Sequence, residues 1–180
     1  MDNPINYTIA GNTTSTGAKS GSGGLTGVFD GNGHIISNLT TIRNGIFGTV
    51  YGALIKDIAF TDVDIKGSSY PCIIGHFGKS NNTTHKLKFS NIYVSVKSMA
   101  SESSVLVNNG TDNSAILENI VIDYTAFGSK ESGWLIGAGG RFGTVTDFTV
   151  NGDVTYDTVD YSIQANGNGF WEAMNDYLQK

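Results

Sequence analysis

Phe89-Ser90-Asn91-Ile92-Tyr93-Val94-Ser95-Val96 carries two signals at once. From Ile92 onward the apolar residues alternate, with Ile92, Val94 and Val96 on one side and Tyr93 and Ser95 on the other, which is the period of a half-buried β-strand. Just before that alternation stands Asn91, between a polar and an apolar residue. Asn tolerates left-handed backbone and hydrogen-bonds to nearby main chain, so it suits a bend where the strand changes direction. Leu117-Glu118-Asn119-Ile120 opens the same pattern, with Ile120, Ile122 and Tyr124 opposing Val121 and Asp123. So do Ile36-Ser37-Asn38-Leu39, Ile55-Lys56-Asp57-Ile58 and Val145-Thr146-Asp147-Phe148.

The anchors Asn38, Asp57, Asn91, Asn119 and Asp147 follow one another at spacings of 19, 34, 28 and 28 residues. A second apolar run precedes each of the last four: Gly45-Ile46-Phe47-Gly48, Cys72-Ile73-Ile74-Gly75, Val105-Leu106-Val107 and Trp134-Leu135-Ile136-Gly137. A unit of this length is one turn of a solenoid, with loops inserted in some turns. A single turn leaves its inward face uncovered, so successive turns must stack their Ile, Val, Leu and Phe on one another, about 4.8 Å apart. The expected fold is all-β, a right-handed parallel β-helix of about five coils. Stacking would also bring the anchors into a column of turn residues whose amides bond one another.

The stretch Phe29-Asp30-Gly31-Asn32-Gly33-His34-Ile35-Ile36-Ser37-Asn38-Leu39, followed by Gly45-Ile46-Phe47-Gly48 and Ile55-Lys56-Asp57-Ile58, resembles the glycine-rich GLUG-type repeats of bacterial surface proteins. It is also similar to the opening coils of pectate-lyase-like β-helices, including virion tailspikes and adhesins. The likeness is good over residues 27–66 and weaker to about residue 152. It implies a scaffold rather than an activity, because unrelated functions share this architecture.

Composition narrows the functional classes. The chain has 180 residues, with 24 Gly, only 15% charged residues, and a formal charge of −5 from 11 Lys and Arg against 16 Asp and Glu. Such a length suits one domain. Phosphate binding needs clustered cations, and the dense patch is confined to Lys79, His85, Lys86 and Lys88, so no nucleic acid partner is expected. Cys72 is the single cysteine and sits in an apolar run, which excludes an internal disulfide and reads as a small buried hydrophobe. No run approaches the roughly 18 apolar residues of a membrane span, and no basic stretch leads into an apolar one at the start, so neither membrane insertion nor a signal peptide is expected in this chain.

The expected division is a flexible or capping segment over residues 1–24, the β-helix over 25–166, and a helix over 167–180. That helix would be N-capped by Asn168 and would carry Phe170, Trp171, Met174, Tyr177 and Leu178 on one face, as a lid on the last coil or as an interface.

Several constellations bear on chemistry. In Asp62-Val63-Asp64-Ile65-Lys66 the alternation puts Asp62 and Asp64 on one outward face, about 6.7 Å apart in an ideal strand. That separation matches the roughly 6.5–9.5 Å between the carboxyls of inverting glycosidases, so these are the catalytic residues if the chain is an enzyme; a solvated strand face offers the same pattern. Asp30-Gly31-Asn32-Gly33-His34 lacks the later ligands of a calcium loop and reads as a tight turn. Gly137-Ala138-Gly139-Gly140-Arg141 lacks the Gly-Lys-Ser/Thr ending of a phosphate loop and reads as a coil turn. No metal site and no cofactor is expected. Tyr93 by alternation, and Tyr51, Tyr70 and Trp134 at strand ends or loops, are candidate outward aromatics for stacking on sugar faces or partner chains.

The expectation is therefore a non-enzymatic module of a bacterial cell surface or virion, extracellular, acting as an adhesin or spacer on glycan or protein through these aromatics and the 78–86 loop. Its rivals are a carbohydrate-active β-helix using Asp62 and Asp64, and a structural virion protein assembling as a homo-oligomer such as a trimer.

Overall fold

The computed structural model describes residues 25–41, 45–50, 52–67, 71–77, 87–100, 103–108, 116–126, 133–135, 144–152, 154–156 and 162–165. The segments 1–24 and 167–180 and the 78–86 loop lie outside the described residues, as do Tyr51, Tyr70 and the 137–141 glycine run. The described elements are all strands: β1 (Val28–Ser37), β2 (Thr40–Thr41), β3 (Thr49–Val50), β4 (Leu54–Ile65), β5 (Gly75–Phe77), β6 (Lys88–Met99), β7 (Val107–Asn108), β8 (Ile116–Asp123), β9 (Gly133–Trp134), β10 (Thr144–Asn151), β11 (Val154–Tyr156) and β12 (Ser162–Ala165).

The long strands form one parallel sheet in the order β1-β4-β6-β8-β10, with β2 also pairing β4, and the short strands form a second parallel sheet, β3-β5-β7. Between one long strand and its neighbour in the sheet, the chain passes through a short strand of the other sheet or, before β10, through β9. A third sheet, β11-β12-β9, is antiparallel. Among the described residues no helix is long and apolar enough to cross a membrane.

Register explains the core. Ile55, Phe89, Leu117 and Val145 lie side by side in successive strands, as do Ile58, Ile92, Ile120 and Phe148, and then Phe60, Val94, Ile122 and Val150. The β4, β6 and β8 members of all three rows are buried. They join Ile46, Phe47, Val50, Ile73, Ile74, Val105, Leu106 and Val107, from and around the second sheet, in one apolar cluster. Each fully buried side chain of this kind stabilises the fold by about 1.5–3 kcal/mol. Cys72 is buried too, as its apolar neighbours led one to expect.

Strict alternation cannot put both Ile55 and Ile58 inside, because they are three residues apart. The residue between them that resolves the conflict is Asp57, with φ 53°. A left-handed residue rotates the strand so that the next apolar side chain faces inward again. Asn91 (φ 54°), Asn119 (φ 52°) and Asp147 (φ 50°) do the same in β6, β8 and β10. Anchors and alternation are thus one device, in which Asn or Asp supplies the φ that β-branched residues resist.

In β1 the counterpart of Asp57 is a bulge. Asp30 pairs with Lys56 and His34 with Ile58, so Gly31, Asn32 and Gly33 together stand opposite Asp57. Asn32 has φ 50° and its amide donates to Asp30 Oδ1 at 2.9 Å, the tight turn expected here. A Cβ on Gly31 would lie 2.5 Å from Ile58 Cβ, which is why glycine occupies that position.

Asn38 therefore stands apart from the other four anchors. Ser37 pairs with Thr61 and Thr40 with Asp64, which sets Asn38 (φ 55°) beside Asp62 (φ 53°) in a second, two-membered corner. The aligned sequence motif placed Asn38 one corner too early. The 19-residue interval to Asp57 reflects that offset, since the bulge at 31–33 is what occupies Asp57's row.

Candidate functional site

The corner side chains of the long sheet form a hydrogen-bonded track along its outer surface. Lys56 Nζ lies 2.7 Å from Asp30 Oδ2 and 2.7 Å from Asp57 Oδ2. Asn91 Nδ2 donates to Asp57 Oδ1 at 2.7 Å, and Asn119 Nδ2 donates to Asn91 Oδ1 at 2.9 Å. The column foreseen from the sequence thus exists for Asp57, Asn91 and Asn119. Lys56 lowers the pKa of Asp57, with Asn91 adding to the effect, and it lowers that of Asp30 together with the Asn32 amide. The two carboxylates in turn push Lys56 up to about 12.

Next to the track runs a row of outward residues, Ala59, Tyr93, Val121 and Thr149. Tyr93 is the one ring in this row, and its small neighbours Ala59 and Val121 leave space beside it. The result is an open groove of about 340 Å³ lined by Asp57, Ala59, Asn91, Tyr93, Asn119 and Val121, among others. Tyr93 is half-buried, as the alternation predicted for an outward residue.

The Tyr93 hydroxyl is held in place. It donates to Asp123 Oδ2 at 2.8 Å, while Asp123 Oδ1 accepts from the Thr125 amide at 2.8 Å. Burial, the Asp123 hydrogen bond and the nearby Asp62 charge all raise the Tyr93 pKa, so the phenol stays protonated. Burial also works against ionisation of Asp123, but the donors Thr125 and Tyr93 outweigh it and hold its pKa low. This tethers the hydroxyl end of the side chain along the outer surface of the sheet. The sequence held a faint signal for the pair: Ser95 faces Asp123 in the register, so Asp123 lies diagonally across from Tyr93, within reach of a long side chain.

The remaining sequence candidates do not assemble with this groove. Asp62 is exposed and sits in the left-handed corner, so the ideal strand spacing to Asp64 does not apply. Asp64 is half-buried; Ser98 Oγ donates to its Oδ1 at 2.6 Å and Lys66 Nζ to its Oδ2 at 3.2 Å. Burial raises the Asp64 pKa, and the Ser98 and Lys66 bonds overcome that and lower it. Trp134 belongs to β9 in the antiparallel sheet, is half-buried, and lies on a different sheet from Tyr93. Lys88 of the basic patch pairs with Glu118 at 2.7 Å, and Ser90 Oγ donates to the same carboxylate at 3.2 Å. Among the described residues no group of three or more His, Cys, Asp or Glu side chains could hold a metal ion.

Compared with protein-family models, with curated proteins and with solved structures, the chain matches none.

Proposed function

We propose that the protein is a non-enzymatic glycan-binding module, a right-handed parallel β-helix displayed on a bacterial cell surface or a virion. Two parallel sheets visited in alternation, sharing one core, support the β-helix reading. The observation that carries the binding reading is the groove itself, where the Tyr93 ring, tethered through its hydroxyl, adjoins a line of amide and carboxylate groups. A sugar presents an apolar C–H face to stack on an aromatic ring and hydroxyls to exchange hydrogen bonds with side-chain amides.

The hydrolase alternative draws less support. General acid catalysis needs a carboxyl that keeps its proton near neutral pH. Of the pair Asp62 and Asp64, Asp62 sits in the left-handed corner, and at Asp64 the Ser98 and Lys66 bonds overcome burial and hold the carboxyl below the ordinary range.

The test is binding of the full chain to immobilised cell-surface polysaccharides, with Tyr93→Ala as the control for the groove. Retention of the wild type and at least a tenfold loss in Tyr93→Ala, with unchanged circular dichroism, is the expected result. Equal retention of both proteins would place the binding surface elsewhere and defeat this assignment.

A further inference from the structure

The corner track has a direction, and the direction selects a ligand class. Asp57 is ionised and accepts only, so Asn91 must turn its amide nitrogen toward it and its carbonyl oxygen the other way. Asn119 then has no choice but to donate to that oxygen, which leaves its own Oδ1 turned away from Asn91. The next residue of the column is Asp147. Thr146 pairs with Glu118 and Phe148 with Ile120, so Asp147 stands opposite Asn119. A carboxylate cannot donate to the Asn119 oxygen. The track therefore begins at a neutralised carboxylate and ends in two facing acceptors on strands about 4.8 Å apart.

The positive charge along the track is already engaged. Lys56 is shared between Asp30 and Asp57, and Lys88 is paired with Glu118. Among the described residues no Lys or Arg lines the groove itself.

Resting on the glycan-binding reading above, we propose that the groove takes a neutral or amino-bearing glycan, whose hydroxyl or ammonium donors satisfy Asn119 Oδ1 and the Asp147 carboxylate, and that it rejects acidic glycans. A uronate or sialate carboxylate placed at this end would meet two acceptors and a like charge. An ammonium can donate to both acceptors at once, and two neighbouring sugar hydroxyls can donate one hydrogen to each.

The experiment uses the full chain and three probes at low salt: a neutral β-glucan, chitosan oligosaccharides and polygalacturonate. Retention on the β-glucan or the chitosan, with none on polygalacturonate, is expected. Polygalacturonate binding as tightly as the others overturns this proposal and leaves the glycan reading standing, whereas retention on none of the three overturns both. A second arm uses Asp147→Asn, which gives Asn119 Oδ1 a donor and completes the track. Without ligand its thermal midpoint should rise by about 1–4 °C, one neutral hydrogen bond in a chain of this size. Its affinity for the retained probe should fall at least fivefold. A lowered midpoint, or an unchanged affinity, overturns the proposal.

Discussion

Replacing Asn91 by alanine tests the corner track at its middle. The side chain donates to Asp57 and accepts from Asn119, and the backbone sits at φ 54°. Alanine at left-handed φ costs about 1 kcal/mol more than asparagine, which is one of the few residues that visit this region routinely. Each hydrogen bond lost is worth about 0.5–1.5 kcal/mol, and the lower end applies here because Asn91 is exposed. The total is about 2–3 kcal/mol, which for a chain of this length lowers the thermal midpoint by about 5–10 °C. Asn91→Gly separates the two contributions. Glycine accepts the left-handed backbone but loses both hydrogen bonds, and after its larger unfolded-state entropy is counted it should be more stable than the alanine variant by about 0.5–1 kcal/mol. Thermal melts followed by far-UV circular dichroism, with urea titrations for the free energies, give both numbers. The reasoning is refuted if Asn91→Ala melts with the wild type, or if Asn91→Gly is the less stable of the two variants.

Gly31→Ala places a methyl group 2.5 Å from Ile58 Cβ and 2.6 Å from the Asp57 carbonyl oxygen, so urea titration should show a loss of about 1–3 kcal/mol, whereas Gly33→Ala meets open space and is strained only by its φ of 72°. Phe89→Ala empties a fully buried position between Ile55 and Leu117 and should cost about 3–5 kcal/mol, measured the same way. Lys56 lowers the pKa of Asp30 and Asp57, so the stability these carboxylates add is present above their ordinary value of 3.8 and is lost as pH falls through their lowered folded values. The gap in thermal midpoint between wild type and Lys56→Met should accordingly close between about pH 5 and about pH 2, and a gap that widens on acidification would contradict the ion-pair assignment.

Much of the long sheet was legible in the sequence because two local rules agree there. Ile92, Val94 and Val96 alternate with Tyr93 and Ser95, and the residue that opens the alternation is one that accepts left-handed backbone. Both rules act within a few residues of chain, and the structure bears them out in the buried row and in the φ of Asp57, Asn91, Asn119 and Asp147. Asn38 shows where the local pattern fails. Its four-residue context resembles the other anchors, yet the bulge at Gly31-Asn32-Gly33 absorbs the first corner and moves Asn38 to the second, beside Asp62. Nothing within four residues can announce a register shift, because register is fixed by which neighbouring strand buries which face. Asp62 was read as an ordinary strand position for the same reason.

The site divides along the same line. The sequence by itself determined that Tyr93 points outward and that Asp57, Asn91 and Asn119 take left-handed backbone, since period and backbone preference are properties of the local chain. Only the tertiary structure decided that the Tyr93 hydroxyl reaches Asp123, that Lys56 bridges Asp30 and Asp57, and that Asp64 is engaged by Ser98 and Lys66. The Tyr93–Asp123, Lys56–Asp30 and Asp64–Ser98 contacts join residues distant in the chain, and long polar side chains can reach several partners from one backbone position. Which partner each one takes depends on the register of the adjoining strand, and that register is set by packing in the core rather than by the polar residues themselves.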